Sequence, residues 1–414
     1  MNQSTIFALS KGVNCHVLPS RKFKTVSICI VLRRPLSREE AAINAVLAGV
    51  LKQGGASRGF PALNRRLDEM GGAVFDAGVV KKGEEQLIQL FLDVEPRFLS
   101  RGAAFLSEIV LGPLERGAFP DDLAEREKLN IRNAIKDLRN DKAEYAKIRC
   151  LEEMCKNEPF GVSALGDGRA LDALDSAALY RHYLRVLEVS PIEIMVLGEV
   201  LPERCARLWS EFFMPRLAKI RRRVIKIPKP LPSKGGAETS SVSESIGGAQ
   251  AKICIGFKSG IGGAAPDFYP LLLMNEVFGQ GPASRLFSAA RERESLCYSI
   301  QAYVYRFKGI LFVECGADAD SLRAVSEITK DALRSIARSG VSEYEFSLAQ
   351  KGLIKRFSAI SDYPGALLDF YLTQYMLGLG ENAAAFTSKL SQVRAGDLSE
   401  AASRLKLDTV YLCA

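Results

Sequence analysis

Two halves of this chain present the same succession of elements, and a chain that repeats itself in this way is constrained to fold as two similar units. The first half offers a strand, TVSICIVLRR, and then a helix opened by Ser37 with Glu40 three residues on, the spacing of a capping box. Ile43, Val46, Leu47, Val50 and Leu51 make one apolar stripe on that helix, and Gly54 and Gly55 end it. A second helix, ALNRRLDEMGG, two strands around AVFDAGVV and EQLIQLFLDV, and long helices from 97 to 187 follow. The second half restates the order: strand AKICIGFKSG, helices DFYPLLLMNEVFGQ and SRLFSAARERES, strands CYSIQAYVYRF and GILFVECGAD. Its next helix places Leu322, Val325, Leu333 and Ile336 on one face before Gly340, helical patterns run to about 403, and TVYLCA closes the chain as a strand. Cys29 and Cys254 fall in the two matching first strands. The expected fold class is α+β, a tandem pair of homologous α/β-sandwich domains, each a mixed or antiparallel sheet with helices.

Between the halves, residues 215 to 248 run from basic to Pro-rich to Gly/Ser-rich, which reads as an exposed linker joining domains at 1–214 and 249–414. A length of 414 residues suits two such cores better than one. The basic run Arg221, Arg222, Arg223 and Lys226 suits a solvated tether better than a nucleic-acid patch, since 56 basic and 48 acidic residues are interspersed along the chain. The N-terminal stretch has no basic region followed by an apolar core, and no run reaches the roughly 18 apolar residues of a membrane span. Nine cysteines without a CxxC, mostly inside apolar runs, read as buried thiols of a cytoplasmic protein.

Chemistry is sparse. GxGxxG and GxxxxGK[ST] are absent, and SGIGG at 259–263 carries no lysine, so a turn is the reading there. His16 and His182 are the two histidines, and neither has a second His or a Glu at metal spacing. Both read as structural.

Three signatures together resemble the M16 (pitrilysin or insulinase) metallopeptidase family: the tandem architecture, NDKAEYAKIRCLEEMCKNEPFG at 140–161, and SRLFSAARERESLCYSI at 284–300. The resemblance implies that the two halves face each other as a clamshell. It also points to a bacterial single-chain subgroup in which a chain with the metal motif pairs with one lacking it. Active members carry HxxEH on the first helix, two His sharing a helical face to bind zinc and a Glu acting as base on the bound water. Here the corresponding segment is Ala45, Val46, Leu47, Ala48 and Gly49, so Ala45, Ala48 and Gly49 stand at degenerate metal positions and this chain is expected to hold no metal. Glu125 and Glu127 lie on the helix that would bring a third ligand, with no His pair to complete.

The resemblance further implies an Arg and a Tyr from the second half, in a pattern R-x-x-x-x-L-x-Y. RERESLCY supplies Arg291, Leu296 and Tyr298 at that spacing, with Cys297 where the family commonly has a small residue. An Arg fork can hold a substrate carbonyl or carboxylate, and a Tyr hydroxyl can donate to a developing oxyanion. The same residues also suit a charged helix end and a strand aromatic. AVFDAGVV, with Gly72 and Gly78, is the candidate sheet edge for an extended peptide. The expected role is a cytoplasmic, catalytically inactive subunit. It would pair with an HxxEH-bearing homologue that holds the zinc, or with itself, and bind peptides without nucleic-acid or membrane partners. The alternative is a stand-alone peptide-binding or scaffold protein.

Overall fold

A computed structural model describes residues 4–54, 59–236, 238–247 and 250–414. Gly55, expected to help end the first helix, and residues 237, 248 and 249 at the linker lie outside the described residues. Six strands form the first sheet: β1 (Thr5–Ser10), β2 (Val13–Pro19), β3 (Val26–Pro35), β4 (Val74–Lys82), β5 (Glu85–Val94) and β6 (Ile192–Gly198), in the order β1-β2-β6-β3-β5-β4. Five form the second: β7 (Ser240–Glu244), β8 (Ala251–Lys258), β9 (Cys297–Tyr305), β10 (Ile310–Ala317) and β11 (Lys406–Cys413), in the order β7-β11-β8-β10-β9. The duplication is visible in the ladders. β3 and β8 each lie between a hairpin and a late antiparallel strand, and the late strand in turn takes a parallel neighbour, β2 or β7. The fold is α+β, with helices packed on two mixed sheets.

In the first unit Ile28, Ile30 and Leu32 alternate along β3 toward the helices, where Val46, Leu47, Phe105, Tyr183 and Trp209 complete the core. Each such fully buried side chain contributes about 1.5–3 kcal/mol relative to exposure. The opposite face of the same strands carries a polar ladder: His16 Nε2 lies 2.8 Å from Glu193, Arg33 reaches Glu193 at 3.3 Å, and Arg33 forks onto Glu85 at 2.8 Å twice. His16 is thus structural. Burial pushes the Glu193 carboxyl pKa up, but His16, Asn14 and Arg33 together outweigh it and hold that carboxyl below the usual range.

The compact units do not follow the boundaries read from composition. One comprises residues 1–136, 162–228 and 362–369, and the other 137–161, 229–361 and 370–414. The reason is packing. The helix Lys142–Met154 buries Tyr145, Cys150 and Met154 against Cys254, Phe312 and Tyr411 of the second sheet. Behind it Glu158 receives Lys308 at 2.7 Å and the Ser233 hydroxyl at 2.7 Å, while buried Lys258 meets Asp408 at 3.0 Å. Asp362 and Asp369 return to the first unit, ion-paired with Lys22 and, at 2.8 Å, with Lys82.

The expected linker is also more ordered than its composition implied. Ser240–Glu244 is a strand, because β11 offers it a parallel ladder. Arg222 is no surface charge: its guanidinium donates to the carbonyls of Leu187, Ser190 and Gly12 at 2.7, 2.7 and 3.2 Å, closing the end of the helix Ser176–Val189. Burial pulls its pKa down to about 10.

Candidate functional site

The helix Arg38–Lys52 is started by Ser37, whose hydroxyl accepts from the Glu40 amide at 3.2 Å. Only this half of the expected capping box forms, because the Glu40 carboxylate is drawn away to Arg34. Helical spacing puts Ala45, Ala48, Gly49 and Lys52 along one side. Ala45 and Ala48 are 3% and 1% exposed, and Gly49 is half-buried. Lys52 carries this side to the sheet, holding Asp76 of β4 at 2.6 Å.

Facing Gly49 is Glu127, from the helix Asp121–Asp137. A methyl group placed on Gly49 would stand 2.7 Å from Glu127 Oε2 and 3.3 Å from its Cδ. Of the two carboxylates named from the sequence, the structure brings Glu127 to the bare helix and leaves Glu125 in solvent, paired with Lys128 at 2.7 Å. Among the described residues, no three His, Cys, Asp or Glu side chains converge as metal ligands. His182 meets this helix elsewhere: its Nε2 lies 2.7 Å from Asn44 Oδ1, and Asn44 donates to Gln86 at 2.7 Å. Burial pushes the imidazole pKa down to about 4, so the ring is neutral at physiological pH. The one signal of this network in the sequence is an Asn amid apolar positions of a helix.

The Arg291 and Tyr298 segment is irregular at three successive points. Phe287–Arg293 is a π-helix rather than the α-helix expected, with the Glu294 amide bonding back to Ala289. Ser295 has φ +53, a left-handed conformation that a non-glycine residue adopts at a cost. Tyr298 is then the extra residue of a β-bulge, since Cys297 pairs with Ala317 and Ser299 with Gly316. Irregular backbone of this kind re-aims side chains and concentrates at functional sites. The consequence here is that Tyr298 stands 56% exposed on β9, an edge strand, with its hydroxyl 3.4 Å from Asp318. Arg291 lies exposed over the Phe287 ring, 4.9 Å from its centroid. No hydrogen bond between Arg291 and Tyr298 occurs among the described residues. Burial raises the Cys297 thiol pKa, although Cys315 and the Arg291 charge oppose it. Beside Tyr298, Lys252, Ser299, Gln301, Glu314 and Gly316 line a cleft of about 240 Å³.

The segment is anchored from behind. Arg285 forks onto Glu345 at 2.7 and 3.0 Å and reaches the Gly340 carbonyl at 2.9 Å. Glu345 in turn caps the helix Glu343–Ala359 through Ser342. β4, the candidate peptide edge, is the terminal strand of its sheet, and Gly78 on it leaves open space where a side chain would be. Gly72 lies in the turn before β4 at φ +76, not in the strand.

Comparison with known proteins agrees with this geometry. Residues 193–353 match the family described as the peptidase M16 inactive domain. The probable inactive metalloprotease YmfF of Bacillus subtilis is 25% identical over 410 residues, covering 97% of this chain and 95% of that protein. A conserved protein from Enterococcus faecalis superposes with a TM-score of 0.90 at 23% identity, covering 100% of this chain and 98% of the other. A Pseudomonas fluorescens peptidase M16 inactive domain superposes at 0.81 with 14% identity, covering 99% and 98%. Over residues 193–353 the chain thus matches the M16 inactive-domain model, along its whole length it is similar to a protein named as an inactive metalloprotease, and its sequence contains no HxxEH motif.

Proposed function

We propose that this chain is a non-catalytic M16 subunit that pairs with an HxxEH-bearing homologue, binds peptide, and lends Arg291 and Tyr298 to the partner's zinc site. The observation that carries this reading is the contrast between two segments. Ala45, Ala48 and Gly49 present nothing that can ligate or accept a proton, while a π-helix, a left-handed serine and a β-bulge hold Tyr298 out on an edge strand. Such a Tyr can donate to an oxyanion, and Arg291 can anchor a carbonyl or carboxylate of the substrate. The cleft beside Tyr298 suits a substrate side chain, and β4 suits main-chain pairing with an extended peptide. Nine buried free cysteines support residence in the reducing cytoplasm.

The test has two parts. Affinity capture from the native cells, with the bound chain identified, is expected to recover an HxxEH homologue in equal amount. A homodimer alone overturns the pairing. In the recovered complex, Arg291→Ala and Tyr298→Phe each lower peptidase turnover, Tyr298→Phe by on the order of 100-fold, as for loss of one oxyanion donor. Wild-type kinetics in both variants refute the shared site. They would favour the second reading, a peptide-binding scaffold, whose own support is the open edge of β4.

A further inference from the structure

Across the second sheet, Lys252 of β8 stands opposite Gly316 of β10, and Gly316 opposite Ser299 of β9, so the three make one row on one face. Gly316 is the low point of that row. A methyl group placed on it would stand 3.0 Å from both Lys252 Nζ and Ser299 Oγ, so the ammonium and the hydroxyl converge over bare backbone. Neither the Lys252 ammonium nor the Ser299 hydroxyl has a hydrogen-bond or ion-pair partner among the described residues. Glu314 lies two residues back along β10 on the same face, and both its oxygens are engaged: Tyr303 donates to one, and Gln301 donates to the other at 3.2 Å. Lys252 is therefore a half-buried cation without a counter-ion. It lines a cleft of about 240 Å³ that Ala143 walls and that opens to solvent at Ser299 and Gln301.

We propose that this cleft receives a carboxylate of the bound peptide, which accepts charge-assisted hydrogen bonds from Lys252 and the Ser299 hydroxyl above Gly316. The proposal rests on the peptide-binding reading above and gives it a substrate class: peptides with an acidic side chain, or a free carboxyl terminus, at the point beside Tyr298. The space suits one side chain, since about 240 Å³ falls short of the roughly 300–1,000 Å³ of a pocket for a whole small ligand. The glycine is part of the fit, because a side chain at 316 would occupy the space between the two donors. Glu314 fixes the position, since its own charge keeps an incoming carboxylate in the Lys252 row and out of the next one.

Fluorescence anisotropy with three dye-labelled extended peptides tests it. One is acetylated and amidated and carries a glutamate, the second has glutamine in its place, and the third is the glutamine peptide with a free carboxyl terminus. The native chain is expected to bind a charged peptide about tenfold more tightly than the neutral one, the gain of one charge-assisted hydrogen bond. Which charged peptide gains tells side chain from carboxyl terminus. Lys252→Met, which keeps an aliphatic stem and removes the charge, is expected to erase the difference. Equal binding of all three to the native chain, weaker binding of the charged peptides, or a preference that persists in Lys252→Met overturns the inference alone. Failure of every peptide to bind overturns the peptide-binding reading, and this inference with it. The native comparison needs no variant, and Lys252→Gln serves as a second one should Lys252→Met fold poorly.

Discussion

Replacing Gly49 by alanine asks whether Glu127 truly fills the space in front of the bare helix. Within a helix, Gly→Ala normally stabilises by about 1 kcal/mol, because glycine loses more backbone freedom on folding. Here the new methyl would sit 2.7 Å from Glu127 Oε2, 3.3 Å from Cδ and 3.4 Å from Cγ, so the whole end of that side chain must give way. It is 6% exposed and held by Asn130, and overpacking of this kind costs about 1–3 kcal/mol. The sum is a net loss of about 1 kcal/mol in the native background. With Glu127→Ala the obstruction is gone, and Gly49→Ala regains its ordinary gain of about 1 kcal/mol. The double-mutant cycle should therefore show a coupling of about 2 kcal/mol between residues far apart in sequence. Urea unfolding midpoints, with hydrogen exchange of the Arg38–Lys52 amides to localise the effect, measure it. If Gly49→Ala stabilises the native chain by the full propensity term and adds independently to Glu127→Ala, the two residues do not meet and the reasoning fails.

Arg222→Ala strands three carbonyls that its guanidinium satisfies, and should lower the stability of the first unit by about 2–3 kcal/mol, read from urea midpoints. Arg222→Lys should recover only part of it, since an ammonium cannot span the three acceptors as a planar fork does. Acid should weaken the second unit through Glu345, whose carboxyl the Arg285 bond lowers to about 2. A depressed carboxyl stabilises the fold above its unfolded pKa, so that contribution is full above about pH 4.5 and is lost as the pH falls toward 2. Glu345→Gln should flatten the dependence of unfolding on pH across that window. Limited proteolysis should cut first in the irregular, exposed stretch 234–236, and the products should co-elute on gel filtration, because 137–161 and 362–369 each belong to the unit made mainly by the other half. Release of a free C-terminal fragment would contradict that exchange.

Much of the architecture is local and was legible. The period of Val46, Leu47, Val50 and Leu51, the alternation in TVSICIV, and the stop at Gly340 are consequences of helix and strand geometry that neighbouring residues enforce on one another. So the two repeated halves could be read from pattern, and with them β4 and β9 as strands beside β5 and β10. The absence of any metal-binding side chain at Ala45, Ala48 and Gly49 is likewise a property of the sequence itself. What the tertiary structure alone decided involves partners distant along the chain. VNCHVLP and IEIMVLG pair as β2 and β6 across some 170 intervening residues, and SSVSE becomes a strand only because β11 supplies the ladder its polar side chains cannot announce. The helix Lys142–Met154 carries an apolar face that either unit could have covered, and the surface offered by Cys254, Phe312 and Tyr411 settled which. Arg222 looked like one of four solvated cations until three carbonyls closed around it. Glu125 and Glu127 are two residues apart and alike in chemistry. The rotation of their helix sends one to solvent and buries the other against Gly49, because a carboxylate's surroundings come from whatever the fold packs against it.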